Sequence, residues 1–298
     1  MNNHTRAYLS YAAICLIWGT TYLAIRVAVL HYPPFLMAGC RQVIAGVLTM
    51  VIALAVNRQR DLSWSNILQQ ALIGFLLITA GNGLVTWSEQ YIQSGVAALI
   101  CSTMPISSVL INIIRGKEKL NKWIVAGMLL GFSGVALIFK DNLSAAGSGH
   151  PLYGWAIAGL FAATVAWAYG SLLNKSERPK VNSFFDAGLQ VTLGGALMLF
   201  ISPFADDYSG IVWWNPEGFA AFAYLVVFGS LVAYSAYIYA LKHLPVGFVM
   251  SYAYINPLVA VLLGAAVLNE PLNLFTVFAM ALIITGIVVI RNGYRKRS

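Results

Sequence analysis

Residues 95–134 read GVAALICSTMPISSVLINIIRGKEKLNKWIVAGMLLGFSG, and residues 247–286 read GFVMSYAYINPLVAVLLGAAVLNEPLNLFTVFAMALIITG. Laid over each other without a gap, at an offset of 152 positions, they pair Gly95 with Gly247, Pro105 with Pro257, Val109 with Val261, Leu110 with Leu262, Glu118 with Glu270, Leu120 with Leu272 and Gly134 with Gly286. Each copy is an apolar run with a proline inside it, a short turn holding a glutamate, and a second apolar run. Self-similarity at a fixed long period marks a duplicated unit. An offset of 149 carries the match upstream, where Trp18 meets Trp167, Ala38-Gly39 meets Ala187-Gly188, Gly46 meets Gly195 and Leu48 meets Leu197. Matching Pro, Glu and Trp are not what apolar filler produces.

Outward from this block the chain stays apolar: 59% of its 298 residues are hydrophobic and only 9% are charged. No soluble core hides that much apolar surface. A soluble enzyme, a disulfide scaffold and a disordered binder are all excluded. A membrane helix takes about 20 apolar residues, and such blocks run over Ala7–Val27, Pro34–Val56, Ile67–Trp87, Gly95–Ile114, Trp123–Phe139, Tyr153–Leu173, Phe184–Ile201, Gly218–Leu241, Gly247–Leu268 and Leu274–Ile290. The connections between them are too short for a soluble domain. The first block continues for about 20 residues without a small-residue cleavage site, so it reads as a permanent span rather than a signal peptide.

The formal net charge of +8 could suggest nucleic acid. Its basic residues, however, sit in short gaps between apolar runs and build no contiguous phosphate-gripping face. With the N-terminus inside, 15 of the 18 Lys and Arg fall on the cytoplasmic side, Lys140 alone falls outside, and Arg26 and Arg41 lie within spans. Lys and Arg are retained on the cytoplasmic side, and nine or eleven spans would break the alternation. Both termini are thus expected in the cytoplasm. Five spans per half, an odd number, make the halves cross in opposite senses. The expected fold is an all-α integral membrane protein of ten transmembrane helices, built as two inverted five-helix repeats, residues 1–150 and 151–298. Cys15, Cys40 and Cys101 read as small buried thiols, and His4, His31, His150 and His243 are too scattered to hold a metal. No cofactor is expected, and no nucleic-acid partner. The bilayer and a small-molecule solute are the expected partners of a chain working as a monomer.

Ile17-Trp18-Gly19 with Tyr22 in the first span, an Arg in the second, and the repeated Pro-to-Glu block carry a resemblance. The sequence resembles the drug/metabolite transporter superfamily, specifically the ten-helix EamA-type exporters, over essentially its whole length. That resemblance implies two five-helix modules in a bacterial inner membrane and a role in small-solute export. In one respect the chain departs from the superfamily. The related four-helix multidrug exporters couple to protons through a carboxylate in the middle of their first helix, and residues 7–27 contain neither Asp nor Glu. Transport is therefore expected without an absolute need for an imposed proton gradient.

Candidate pathway residues follow from polar and aromatic side chains inside spans. Pro105 and Pro257 stand about ten residues into theirs, roughly 15 Å deep at 1.5 Å per residue, and each crowds the carbonyl four residues back, that of Cys101 or Ala253. Freed carbonyls are tolerated only against protein or a wet cavity, so two mid-membrane breaks point to a binding region; a packing kink is the plainer alternative. Thr79, Asn82, Thr86 and Glu89 follow one helix face by spacing. Trp18, Thr21 and Tyr22 in the first span, Thr164, Trp167 and Ser171 in the sixth, and Ser230, Tyr234 and Tyr237 in the eighth repeat an aromatic-hydroxyl pattern, and Tyr252 and Asn256 flank the ninth-span proline. Such rings can surround an apolar solute and bind its polar end; the bland reading is an aromatic helix interface.

Arg41 and Glu89, with Arg26, fall in the same outer leaflet by topology. An Arg41–Glu89 ion pair or outer gate is expected, with a solute-carboxylate site at Arg41 as the alternative. Glu118 and Glu270 precede helices and read as caps, and Gly127, Gly131 and Gly134 as a close-packing face. Among function classes, alternating-access export of amino acids or related zwitterionic and aromatic metabolites stands first and multidrug efflux of lipophilic compounds second. The chain shows no mid-span acid pair and no metal motif, which leaves an intramembrane enzyme or a non-transporting receptor remote.

Overall fold

The computed structural model describes residues 2–92, 94–117, 119, 121–138, 150–175, 181–209, 211, 214–268 and 274–295, and the described residues contain helices and no strand. In chain order the helices are α1 (Asn3–Val29), α2 (Pro34–Val56), α3 (Trp64–Ser88), α4 (Ser94–Cys101), α5 (Met104–Ile114), α6 (Lys122–Ile138), α7 (Tyr153–Lys175), α8 (Ser183–Ala205), α9 (Pro216–His243), α10 (Val246–Val249), α11 (Tyr252–Leu268) and α12 (Leu274–Arg295). Eight segments among the described residues are long and apolar enough to cross a bilayer, with α4 and α5 counting as one over Val96–Ile114. Two shorter apolar stretches, Lys122–Leu137 and Val246–Val259, accompany them.

The helices overrun the apolar blocks because polar side chains cap them beyond the apolar limits. Asn2 accepts from the Thr5 N–H at 2.9 Å, and Asn182 from the Phe185 N–H at 3.1 Å. Asn215 accepts from the Gly218 N–H at 2.9 Å, with Pro216 in the first turn. Each side chain satisfies one of the N–H groups that a helix start leaves orphaned. Along α1 the exposed face carries Leu9, Leu16 and Leu23, seven apart, while Ile14, Trp18, Thr21 and Ile25 point inward. An outer face this apolar is suited to lipid tails rather than to water.

Two helix pairs pack backbone against backbone. Between α2 and α8, a Cβ placed on Gly46 would lie 2.8 Å from the Gly188 carbonyl oxygen, one on Gly188 2.8 Å from that of Gly46, and one on Gly195 3.1 Å from that of Gly39. Between α6 and α12, a Cβ on Gly127 would lie 2.7 Å from the Gly286 oxygen, one on Gly286 2.6 Å from that of Gly127, and one on Gly134 2.8 Å from that of Ala279. Small residues let helix backbones approach closely where lipid offers no hydrophobic drive to associate. The close-packing reading of Gly127, Gly131 and Gly134 fits this geometry. Between these pairs, α1 packs on α9 and α11, and α7 packs on the middle of α3.

Three features differ from the sequence expectations. First, the middles of α3 (Phe75–Gly83) and α9 (Leu225–Val232) are π-helical. Their i→i+5 hydrogen bonding turns successive side chains differently from an α-helix. Within the stripe Thr79, Asn82, Thr86, Glu89, two hydroxyls are engaged by the protein: Thr79 donates to the Gly194 carbonyl in α8 at 2.9 Å, and Thr86 folds back on the Asn82 carbonyl at 2.9 Å.

Second, the two proline breaks are not equivalent. Between α4 and α5 the helix is interrupted at Ser102 and Thr103, immediately before Pro105, and the two hydroxyls take up the Leu99 and Ile100 carbonyls at 2.6 and 2.7 Å. The matching interruption falls at Met250 and Ser251, and Pro257 sits inside α11, well past it. Ser251 closes that gap by donating to the Phe248 carbonyl at 2.6 Å, and its hydroxyl lies 2.7 Å from that of Tyr11. Third, the Arg41–Glu89 pair is not formed, as described below. The expected caps Glu118 and Glu270 lie outside the described residues.

Candidate functional site

A cavity of about 70 Å³ lies where α1, α2, α3, α5, α7, α9 and α11 converge. Of the residues singled out from sequence, Trp18, Thr21, Tyr22, Arg41, Asn82, Trp167, Ser230, Tyr234, Tyr252 and Asn256 line it. Thr79, Thr86, Glu89, Pro105, Ser171, Tyr237 and Pro257 are not on its wall.

The rings of Trp18, Trp167 and Tyr252 form the floor, with Tyr237 behind them. Trp18 stands edge-on to Trp167 with centroids 5.5 Å apart and planes at 82°, and it meets Tyr252 at 4.8 Å and Tyr237 at 5.1 Å. Edge-to-face contacts at these distances are favourable because a positive ring edge meets a negative face. Both indole N–H groups are used within the protein. Trp18 donates to the Gly229 carbonyl, in the π-helical part of α9, at 2.9 Å, and Trp167 donates to the Tyr237 hydroxyl at 3.0 Å. The Ser171 and Tyr237 hydroxyls lie 2.5 Å apart. Ser171 and Tyr237 thus hold the ring cluster from behind rather than facing the cavity.

The polar wall is built on α2, α3 and α11. Arg41, only 2% exposed, donates through Nη2 to the Asn82 side-chain oxygen, and Gln42 Nε2 donates to the same oxygen at 3.2 Å. Arg41 Nε, Gln42 Oε1 and both amide atoms of Asn256 are buried with no hydrogen-bond partner among the described residues. The expected Arg41–Glu89 pair is replaced by this contact, and both Glu89 carboxylate oxygens are likewise unpartnered. Arg26 reaches Glu89 through the main chain, donating to the carbonyls of Glu89 and Gln90. The π-helical stretch brings Asn82 round to the guanidinium, a rotation that counting at helical spacing could not anticipate.

Tyr234 leaves the cavity along a buried polar chain. It donates to Gln190 Oε1 at 2.8 Å, Gln190 Nε2 to Gln70 Oε1 at 2.6 Å, Gln70 Nε2 to Asn66 Oδ1 at 2.8 Å, and Asn66 Nδ2 to Asp186 Oδ1 at 3.1 Å. Sequence reading missed Gln42, Gln70 and Gln190, together with Met104 and Ile78 on the cavity wall. The signal was present for the glutamines: an amide inside an apolar run must find partners or a wet cavity.

Asn82→Ala is expected to lower stability by about 2 kcal/mol, the range for a hydrogen bond to a charged group, because the guanidinium loses its side-chain acceptor. Adding Arg41→Gln should recover part of that loss. Thermal unfolding of the purified variants measures it, and strict additivity would mean that the two groups do not interact.

The EamA-like transporter family model matches the chain twice, over residues 5–140 and 154–292. The chain is 32% identical to the "Uncharacterized inner membrane transporter YedA" of Escherichia coli, over 94% of this chain and 89% of the relative. It is 27% identical to the "Uncharacterized transporter YvbV" of Bacillus subtilis, over 97% and 92%. A solved crystal structure matches with a TM-score of 0.76 over 99% of both chains at 21% identity, a likeness of fold alone. The chain, a multi-pass membrane protein, belongs to the EamA-like transporter family.

Proposed function

We propose that this protein exports small metabolites across a bacterial inner membrane by alternating access, with amino acids or related zwitterionic and aromatic solutes as cargo. The observation that carries this reading is the cavity at the meeting of helices from both halves of the chain, lined by Trp18, Arg41 and Asn82 of the first half and Trp167, Tyr234 and Asn256 of the second. At about 70 Å³ it is well below the roughly 300–1,000 Å³ of a formed small-molecule pocket. Solute enters only after the halves move apart. A guanidinium on the wall of a low-dielectric cavity repels cations, which disfavours efflux of lipophilic cations as the main activity.

The architecture we infer is ten spans in two inverted repeats, working as a monomer with both termini in the cytoplasm. Counting α4 with α5 and α10 with α11 as single broken spans gives ten. The two family matches support the repeat, as do the π-helical stretches beginning at Phe75 and Leu225. Further support comes from the glycine contacts: Gly46 faces Gly188 while its counterpart Gly195 faces Gly39, the crossed pattern of a two-fold relation.

Reporter fusions at Ser209 and Gly149 are expected to read outside, and those at Gln59 and Ser176 inside; Gly149 and Ser176 lie outside the described residues. One reversed reporter overturns the span count. For function, proteoliposomes should move labelled amino acids down their gradient without an imposed pH gradient, and a screen of about 20 amino acids and several lipophilic cations for resistance on overexpression identifies the cargo. If a pH gradient alone drives uphill movement and Glu89→Gln abolishes it, Glu89 is a coupling site and the expectation from the acid-free first span is wrong.

A further inference from the structure

Four of the polar atoms left without partners belong to three residues that line the cavity. Arg41 Nε is a charged donor, Gln42 Oε1 an acceptor, and Asn256 offers one donor and one acceptor; all belong to side chains at most 4% exposed. Two of them have little freedom to turn away, because the Arg41 Nη2 and Gln42 Nε2 groups are already held on the one Asn82 oxygen. Buried polar groups are almost always hydrogen-bonded, so an unmatched set on residues that line one cavity is complementary to something the cavity takes up.

We propose that Arg41, Gln42 and Asn256 form the head-group site for a zwitterionic α-amino acid, an assignment that rests on the transporter reading and names the class of its cargo. The solute carboxylate takes Arg41 Nε and Asn256 Nδ2. Its ammonium takes Gln42 Oε1 and Asn256 Oδ1. Because Arg41 and Gln42 stand on α2 and Asn256 on α11, one head group ties together helices from the two halves. The side chain then faces the rings of Trp18, Trp167 and Tyr252. A zwitterion adds no net charge beside the guanidinium, whereas an amine without a carboxylate brings a second cation to it.

The test uses the full-length protein in lipid nanodiscs and measures binding of two compound series by calorimetry: L-leucine with isoamylamine and 4-methylpentanoate, and L-phenylalanine with phenethylamine and 3-phenylpropionate. Wild type should bind an amino acid at least about tenfold more tightly than its amine. Arg41→Gln should shrink that ratio to about threefold or less, in part through a gain in amine binding, which a merely misfolded variant would not show; Arg41→Lys should keep the preference for a carboxylate. Gln42→Leu should weaken the amino acid while leaving the deaminated acid unchanged. Amines binding wild type as tightly as amino acids would overturn the head-group site and leave the transporter reading standing. If no compound of either series binds folded wild type, the amino-acid reading of the cavity falls as well.

Discussion

Gly46→Leu should leave almost no folded protein. A Cβ at this position would sit 2.6 Å from the Thr192 backbone nitrogen and 2.8 Å from the Gly188 oxygen. Backbone cannot swing aside as a long side chain can, so the strain should exceed about 3 kcal/mol, beyond the usual range for overpacking, or roughly a hundredfold in the folded fraction. Gly154→Leu is the matched control, since a Cβ there meets nothing within 4 Å, and its yield should equal or exceed wild type given the better helix propensity of leucine. Size-exclusion of fluorescent fusions reads both. A normal monodisperse peak for Gly46→Leu would mean that α2 and α8 are not in backbone contact.

Trp18→Ala should cut transport per folded molecule by at least about tenfold, the equivalent of roughly 1.4 kcal/mol. The truncation removes the ring that touches Trp167, Tyr237 and Tyr252 together and frees the Gly229 carbonyl. Because Trp18 lines the cavity, the vacated space joins it and can hydrate, so folded yield should fall less than transport. Trp167→Ala should act in the same direction. Uptake into proteoliposomes normalised to folded protein distinguishes the two effects, and a loss of transport that only tracks a loss of yield would reduce the rings to a packing core.

Membrane embedding, eight of the apolar spans and the close-packed Gly127, Gly131 and Gly134 face were legible in the sequence, because apolar runs and small-residue spacing map directly onto helices in lipid; sequence reading missed the glycine contacts of α2 with α8. Aromatic-hydroxyl patterning also pointed to Trp18, Tyr22, Trp167, Tyr234 and Tyr252, all on the cavity wall. Three things were not legible. The π-helical geometry of Phe75–Gly83 has no counting rule, and it moves Asn82 to Arg41 and Thr79 to α8. The break before α11 is made at Ser251 rather than by its proline, since a serine hydroxyl can absorb a freed carbonyl that a proline only creates. The choice of Arg41's partner depended on a fraction of a helix turn, and leaflet-level depth does not resolve that.

The backbone contacts of α2 with α8 and of α6 with α12 also set a schedule for biogenesis. After α2 ends at Val56, 126 residues must be made before α8 begins at Ser183, and 135 separate the end of α6 at Ile138 from the start of α12 at Leu274. At about 5–20 residues per second, each early helix waits roughly 6 to 27 s for its mate. During that interval the translocon or the bilayer is the only neighbour available to its glycine face. The final packing of this protein is therefore an event that follows translation of the second half, and the first half is inserted well before it can be folded.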